Sequence, residues 1–370
     1  MRNSCFQLAR VALISCAAAI AIPGTATSQE VPRDFTSEVQ AIFEEGGAPG
    51  MAMAIVHEGR EAYAEAFGVR SIETDEAMTT DLLFHWASVT KPFVATAIVQ
   101  LVEAGKIDLE ASVTSYLPYF KMADDRYRAI TIRQLLTHTS GMPDVSNYEW
   151  HNPVYDDGAL ERYVRSISHL ELIAAPGERM QYSNIAFEML GDVIAKTSGV
   201  SFEACVDAHI LTPLGMDEST LLKVEARDEL LVAPHAATSR GPRLRQHWPY
   251  NRMHAPSSCM ISNVHEMARW AMANLNHGRL EDARILKETS YDLLWKPGSP
   301  VTNEVGLSWF LGKMQRLQTV SHGGGDQGFR THVLLVPEHD FGIVIAFNGE
   351  NAPKDAILQL ALRRWLTSRP

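Results

Sequence analysis

Ser88-Val89-Thr90-Lys91 runs into Pro92-Phe93-Val94-Ala95-Thr96-Ala97-Ile98-Val99-Gln100-Leu101-Val102-Glu103-Ala104, and Gly105 closes the segment. Ala95, Ala97, Ile98, Leu101 and Val102 fall at helical spacing, so Phe93 to Ala104 reads as a helix with Ser88 at its entrance. Three residues apart, Ser88 and Lys91 share one helical face, about one turn from each other, which sets an amine beside a hydroxyl. Such a pair makes a weak nucleophile usable. Unpaired backbone amides at a helix start favour negative charge on an attacked carbonyl oxygen and disfavour a cation. Pro92 costs at most one hydrogen bond this early, and it biases Lys91 away from ideal helical geometry. Alone, the pair proves little, because a capping serine beside a surface lysine has the same spacing. The weight falls on partners elsewhere in the chain.

Working outward, Met51 to His57 and Glu61 to Val69 read as strands joined at Glu58-Gly59-Arg60, a hairpin. From Ser88 to about Trp295 helical patterns dominate: Thr131 to Leu136, Ala159 to Ile167, Ile185 to Thr197, Phe202 to Leu211, Val264 to Leu275 and Ser290 to Trp295. Strand signals return at Gly306 to Lys313, Phe329 to Val336 and Gly342 to Phe347, before a closing helix from Lys354 to about Leu366. Strands at both ends with helices between predict an α/β (α+β) fold. One antiparallel sheet is built from N- and C-terminal strands and flanked by helices, with a mostly helical region, roughly 106–296, inserted. No linker divides the chain, so 29–370 reads as a single domain.

Arg2 and Arg10 precede an uncharged run from Val11 to Ile22, then Pro23-Gly24 and small residues through Ser28. This is the layout of a secretory signal over 1–28, too short for a membrane span, with cleavage expected near Ala26 or Ser28. The protein is therefore expected to be periplasmic or secreted. Leu13-Ile14-Ser15-Cys16 resembles a lipoprotein acceptor site, but the apolar run continues beyond the cysteine. Of 4 cysteines, only Cys205 and Cys259 lie beyond this segment, and both read as buried free thiols.

With 46% hydrophobic and 21% charged residues the chain reads as globular. Without Arg2 and Arg10, 31 of the 33 basic residues face 44 acidic ones, a balance of −13, which argues against nucleic acid as a partner. No other apolar stretch reaches membrane-spanning length. Rival chemistries find little support. There is no Gly-x-Ser-x-Gly elbow, and neither His57-Glu58 nor His265-Glu266 has a histidine four residues after the first. Gly323-Gly324-Gly325-Asp326-Gln327-Gly328 matches Gly-x-Gly-x-x-Gly, but an extended segment follows it instead of a helix, so the dinucleotide reading fails. Neither metal nor cofactor is expected.

Ser88 and Lys91 need a proton relay, a group to hold the substrate, and donors for an oxyanion. Two segments can supply them. Pro176-Gly177-Glu178-Arg179-Met180-Gln181-Tyr182-Ser183-Asn184 is a turn-rich loop leading into the helix near Ile185, and Ser321-His322-Gly323-Gly324-Gly325 runs along or beside a strand whose glycines admit another backbone. Together, Ser88 to Lys91, Tyr182 to Asn184 and His322 to Gly324 resemble, in order, the three motifs of the serine penicillin-recognising enzymes. Those are class C β-lactamases, D-alanyl-D-alanine carboxypeptidases, D-aminopeptidases and family VIII esterases. Leu135 to Pro143, Pro213 to Met216 and His322 to Phe329 match as flanks, and the resemblance spans roughly Val39 to Gly349.

The resemblance implies a β-lactamase/transpeptidase-like fold and makes Ser88 the nucleophile that becomes acylated. Lys91 and Tyr182 then share the base role. A lysine in water keeps its proton at neutral pH, so the acceptor is either a lysine made neutral by its surroundings or a tyrosinate. Backbone N–H groups of Ser88 and Gly325 are implied as the oxyanion hole, with Asn184, His322, Gly323 and Gly324 as substrate-binding positions. Asn184 is expected to hold Lys91 and the amide side of a substrate, or to cap the following helix. His322 stands where class C β-lactamases usually carry lysine. A fixed cation suits a substrate carboxylate, whereas an ordinary histidine is mostly neutral at pH 7, which favours peptidase-like or esterase-like relatives. The expected partner is a small-molecule or peptide substrate. A β-lactamase, or a penicillin-binding sensor that is acylated without turnover, is the competing class. His138 has no derivable catalytic role; Tyr148, Trp150, Trp248 and Tyr250 are candidate rim aromatics, and Arg330 and Asn351 are candidate carboxylate contacts.

Overall fold

The computed structural model describes residues 30–367; the expected signal 1–28, its cleavage site and Cys16 lie outside the described residues. Helix α1 (Phe35–Gly46) precedes the hairpin of β1 (Gly50–His57) and β2 (Arg60–Gly68). Glu58 and Gly59 turn that hairpin with φ of 52° and 72°, the left-handed pair that a two-residue turn matched to strand twist requires. The two-residue β3 (Phe84–His85) leads through a 3-10 turn, Ser88–Thr90, into α2 (Lys91–Glu103). Next come α3 (Ile132–Leu136), α4 (Ala159–Ser166), α5 (Asn184–Ser198) and α6 (Phe202–Val206). A small hairpin, β4 (His235–Thr238) with β5 (Gly241–Leu244), is followed by α7 (Ala255–Ser258), β6 (Ile261–Ser262) and α8 (Val264–Leu275). Then follow β7 (Arg279–Leu280), β8 (Ala283–Arg284) and α9 (Tyr291–Leu294). The chain returns to the sheet with β9 (Phe310–Met314), β10 (Leu317–Asp326), β11 (Phe329–Val336) and β12 (Phe341–Phe347), and α10 (Lys354–Leu362) follows.

The main sheet has the order β2-β1-β12-β11-β10-β9, antiparallel throughout, so strands from the two ends of the sequence meet at β1 and β12. Alternation along the strands splits the core in two. Met51, Met53 and Ile55 pack with Phe35, Val39, Ile357, Leu358 and Trp365 beneath α1 and α10. Ala52, Ala54 and Val56 face the other way, toward α8 and the helical region. Every residue of β1 and β12 is buried, as strands covered on both faces must be. Helix α2 is buried nearly all round, the pattern of a central core helix. Phe93 on α2 stacks on Trp270 of α8 at 3.9 Å between ring centroids, and Trp270 stacks on Trp309 at 5.3 Å.

Several expected elements are shorter than the apolar pattern suggests. The strand expected from Gly306 starts only at Phe310, because Gly306 N donates to Trp309 O and Ser308 sits at φ 72° in a turn. The helix expected over Phe202 to Leu211 is α6 followed by a wider π turn, Asp207–Leu211, and α10 likewise ends in a π turn, Arg363–Thr367. The region expected to be helical also holds the β4–β5 and β7–β8 hairpins and the β3–β6 pair.

Candidate active site

β3 pairs with β6, and Trp86 N donates to Met260 O at 2.8 Å while Trp86 Nε1 donates to Ser262 O at 2.9 Å. The next residue, Ala87, sits at φ 49°, ψ −134°, an arrangement that costs a non-glycine residue ~1–3 kcal/mol. Its carbonyl is held by two donors of one residue, Thr90 N at 2.9 Å and Thr90 Oγ1 at 2.6 Å. Thr90 Oγ1 in turn accepts from Met260 N at 2.9 Å. This bend delivers Ser88, half-buried, to the start of α2.

Lys91 is fully buried. Its Nζ donates to Ser88 Oγ at 2.9 Å and to Ser257 O at 2.7 Å, and it lies 5.1 Å from the centre of the Tyr182 ring. Among the described residues no carboxylate lies within ion-pair distance of it. The expected pairing of amine and hydroxyl is therefore present, with α7 supplying the second acceptor.

Tyr182 is placed by a residue that spacing gave no role. The His138 ring stacks on the Tyr182 ring at 4.2 Å, His138 Nδ1 accepts from Ser183 N at 3.2 Å, and His138 O accepts from Gln181 N at 2.7 Å. His138 thus grips both neighbours of Tyr182 as well as its ring. Burial first, then Lys91 and His322, push the His138 pKa well below the usual range.

Asn184 opens α5, but Ser183 is the cap: its Oγ accepts from Ala186 N. Asn184 N and Nδ2 both donate to Asp144 Oδ1 at 2.8 Å. Asn184 Oδ1 is buried without a partner among the described residues, so the expected bond to Lys91 is not made. The carbonyl of Ser257 takes that place.

On β10, His322 and Gly324 face the helical region, whereas the Cβ directions of Gly323 and Gly325 point across the sheet at His332 and Arg330. A Cβ on Gly324 would lie 2.3 Å from Trp86 O and 2.2 Å from Thr331 Oγ1, so glycine is what lets β10 approach the Ser88 turn. Pairing with β9 ends at Ser321, and among the described residues no other strand pairs with His322 to Asp326 on that side. His322 is 1% exposed, with Nδ1 on Gly323 O at 2.8 Å, and burial followed by Lys91 pushes its pKa down to about 3.

Arg330 lies on the opposite face from the Ser88 turn, donating to the carbonyls of Asp326 and Phe329. Asn351 is exposed beside Gly47. Neither candidate carboxylate contact is beside Ser88. Of the aromatics, Tyr250 is buried against Tyr155, while Tyr148 and Trp150 stack at 4.6 Å and line a cavity of about 230 Å³ with His151, His247 and Gln327. Behind Lys91, the fully buried Glu188 accepts from Ser257 Oγ at 2.6 Å and contacts His254 Nδ1 at 3.0 Å. Its sequence signal was an acid, with Asp192 one turn on, inside an otherwise largely apolar helix. Cys205 and Cys259 are free and buried. Among the described residues no cluster of His, Cys, Asp or Glu is placed to hold a metal, and no helix is long and apolar enough to cross a membrane.

The chain is 26% identical over 329 residues to protein flp of Staphylococcus aureus strain MW2, covering 87% of this chain and 65% of that protein. It is 34% identical over 218 residues to esterase EstB of Burkholderia gladioli, covering 54% of this chain and 55% of the esterase. The alignments thus span less than two thirds of these curated relatives. Among solved structures, the octameric penicillin-binding protein homologue from Pyrococcus abyssi is similar with a TM-score of 0.79 at 26% identity, over 91% of this chain and 78% of that one. D-amino acid amidase from Ochrobactrum anthropi SV3 shares the fold, with a TM-score of 0.76 at 22% identity over 91% of this chain and 100% of the amidase. Residues 35–364 match the Beta-lactamase family as a whole, and the chain belongs to that family.

Proposed function

We propose that this protein is an exported serine hydrolase that cleaves an ester or amide bond through an acyl-enzyme on Ser88. The observation that carries the reading is the 2.9 Å contact between Lys91 Nζ and Ser88 Oγ, made by a fully buried amine. In the resting arrangement Nζ donates to Oγ; as the base, Lys91 or the adjacent Tyr182 takes the hydroxyl proton while Oγ attacks the substrate carbonyl. The tetrahedral oxyanion is received by the backbone N–H groups of Ser88 and Gly325, and one such donor is worth about 10²–10³ in kcat in other acyl-transfer enzymes. The proton then passes to the leaving group, and water releases the acyl group by the same route in reverse. Asn184 Oδ1, an acceptor without a partner among the described residues, suits a substrate N–H. The free edge of β10 suits an extended substrate.

A neutral His322 supplies no positive charge for a substrate carboxylate. This supports an ester or an amide, including a D-amino-acid amide, over a β-lactam. The similarity to an esterase and a D-amino acid amidase points the same way. The layout of residues 1–28 supports export to the periplasm or medium.

The test is a panel of a short-chain nitrophenyl ester, a chromogenic cephalosporin and peptides ending in D- or L-alanine, with mass spectrometry of Ser88. Ser88→Ala is expected to abolish turnover and the adduct; near-normal turnover in that variant would sink the assignment. An adduct that persists without product would make the protein a sensor.

A further inference from the structure

We propose that Asp326 is a positioning residue for acylation, clamping the strand end that carries Gly325 to the segments that carry Ser88 and hold Lys91. The inference rests on the serine hydrolase reading above. Asp326 Oδ2 accepts from His85 Nε2 at 2.8 Å and from Ser258 Oγ. The three side chains come from three separate places. Asp326 directly follows Gly325 at the end of β10. His85 is on β3, with only Trp86 and the strained Ala87 between it and Ser88. Ser258 directly follows Ser257, whose carbonyl accepts from Lys91 Nζ.

Position matters here because β9 stops pairing at Ser321. From His322 onward no strand among the described residues lies beside one edge of β10, and β11 alone would let the strand end tilt. Gly324 brings this end against Trp86 O, and Thr331 Oγ1 of β11 donates to the same carbonyl at 2.8 Å, a bond that ties β11 and not the end of β10 to the Ser88 turn. The carboxylate supplies the hold. His85 is fully buried and boxed by Trp248 at 5.3 Å and Phe329 at 5.7 Å between ring centres, so its Nε2 is aimed with little freedom. Ser258 is 2% exposed and the Asp326 side chain 10%. In such a site a charge-assisted bond is strong and directional. A shift of about 1 Å at an oxyanion donor is enough to cost on the order of 10²-fold.

The competing role for Asp326 is direct contact with a positively charged substrate group, and the choice of variants separates the two. Asp326→Asn keeps an oxygen that accepts from both His85 and Ser258 but removes the charge; Asp326→Ala removes both. The measurements are kcat and KM on a neutral nitrophenyl ester and on one bearing an amine, inhibition by phenylboronic acid, and the thermal midpoint. For Asp326→Ala the expected result is kcat down about 10²-fold, the scale of one lost oxyanion donor. KM stays within about threefold, and phenylboronic acid, which forms a tetrahedral anion on Ser88, weakens in parallel with kcat. Asp326→Asn keeps kcat within about tenfold of wild type on both esters. If Asp326→Ala does not fold, Ser258→Ala removes one donor and is expected to lower kcat about tenfold with KM unchanged.

Unchanged kcat in Asp326→Ala, or in Ser258→Ala where that variant stands in, overturns the clamp. So does an Asn variant as impaired as Ala with the loss in KM and confined to the amine ester. Absence of any Ser88 adduct in the wild type overturns the hydrolase reading itself, and the clamp with it. An adduct in the wild type together with wild-type rates in Asp326→Ala overturns the clamp alone.

Discussion

Gly324 is where one missing side chain decides whether the site can assemble. An added Cβ has two oxygen atoms within 2.3 Å, Trp86 O and Thr331 Oγ1, and Ala87 Cβ at 3.2 Å. One of the oxygens is backbone of the segment that delivers Ser88, so relief comes only by moving β10 away from the nucleophile. Gly324→Ala is expected to lower kcat/KM on a nitrophenyl ester by at least about 10²-fold, with a stability loss of about 1–3 kcal/mol, the range for overpacking. Gly312→Ala on β9, where the nearest atom is 3.5 Å away, is the control and should match wild type in both measurements. Equal activity in the two variants would show that β10 need not approach so closely. The pairing of Ser88 with Lys91 was legible in sequence because their spacing on one helical turn sets it locally, whereas Tyr182 and Asn184 came from motif order in a resemblance, and the bond expected between Asn184 and Lys91 is not made. Asp144, Ser257 and Asp326 were not legible, since an acceptor oxygen becomes specific only when a distant segment brings its donor. His138 stood in a recognisable segment, yet its grip on Tyr182 depends on a ring stack that no spacing predicts.

Helix α5 carries this logic to the scale of an element, because Tyr182, just before the helix, and Asn184, its first residue, lie on either side of a buried cap. Ser183 Oγ accepts from Ala186 N at 3.2 Å and donates to Pro143 O at 2.7 Å, and Ser183 N donates to His138 Nδ1. Ser183→Ala leaves a helix N–H and a loop carbonyl unpaired inside the protein. The expected loss is about 1–2 kcal/mol in urea unfolding, the upper part of the range for a cap. Activity should fall as well, since the turn that presents Tyr182 loosens; a variant with an unshifted urea midpoint would show that water replaces the hydroxyl. Elements with a strong period were read well from sequence, among them α5, α8, β1, β11 and β12. Elements set by partners were not. The β4–β5 and β7–β8 hairpins are too short for a period, and β9 begins late because Gly306 must approach Leu294 O, where an added Cβ would lie 1.9 Å away.

For the molecule as a whole, the two-sided sheet and its helical cap bury histidines that water would protonate. His322, buried, and His332, half-buried with its ring nitrogen Nδ1 shielded, are each pushed down to about 3, mainly by loss of water around the ring, and His138 is pushed well below its usual range. Their folded pKa values lie below the unfolded value of about 6.5, so the unfolded chain binds more protons between those limits. For His322 and His332 the contribution to stability is therefore complete above pH ~6.5 and is lost as pH falls toward about 3, at roughly 1.4 kcal/mol per pH unit for each; His138 acts in the same direction. His265 works in the opposite sense, because Glu61 raises its pKa; its contribution is present below the unfolded value and lost as pH rises through the folded one. A single variant separates these contributions. His332 lies on β11 with its side chain on the face opposite the Ser88 turn, so His332→Gln removes one depressed histidine without touching the site. Urea unfolding from pH 4.5 to 7.5 should give a slope of stability against pH that is smaller in His332→Gln by about 1.4 kcal/mol per unit below pH ~6. Parallel slopes would mean that His332 takes up its proton in the folded state, and that this face of the sheet admits water.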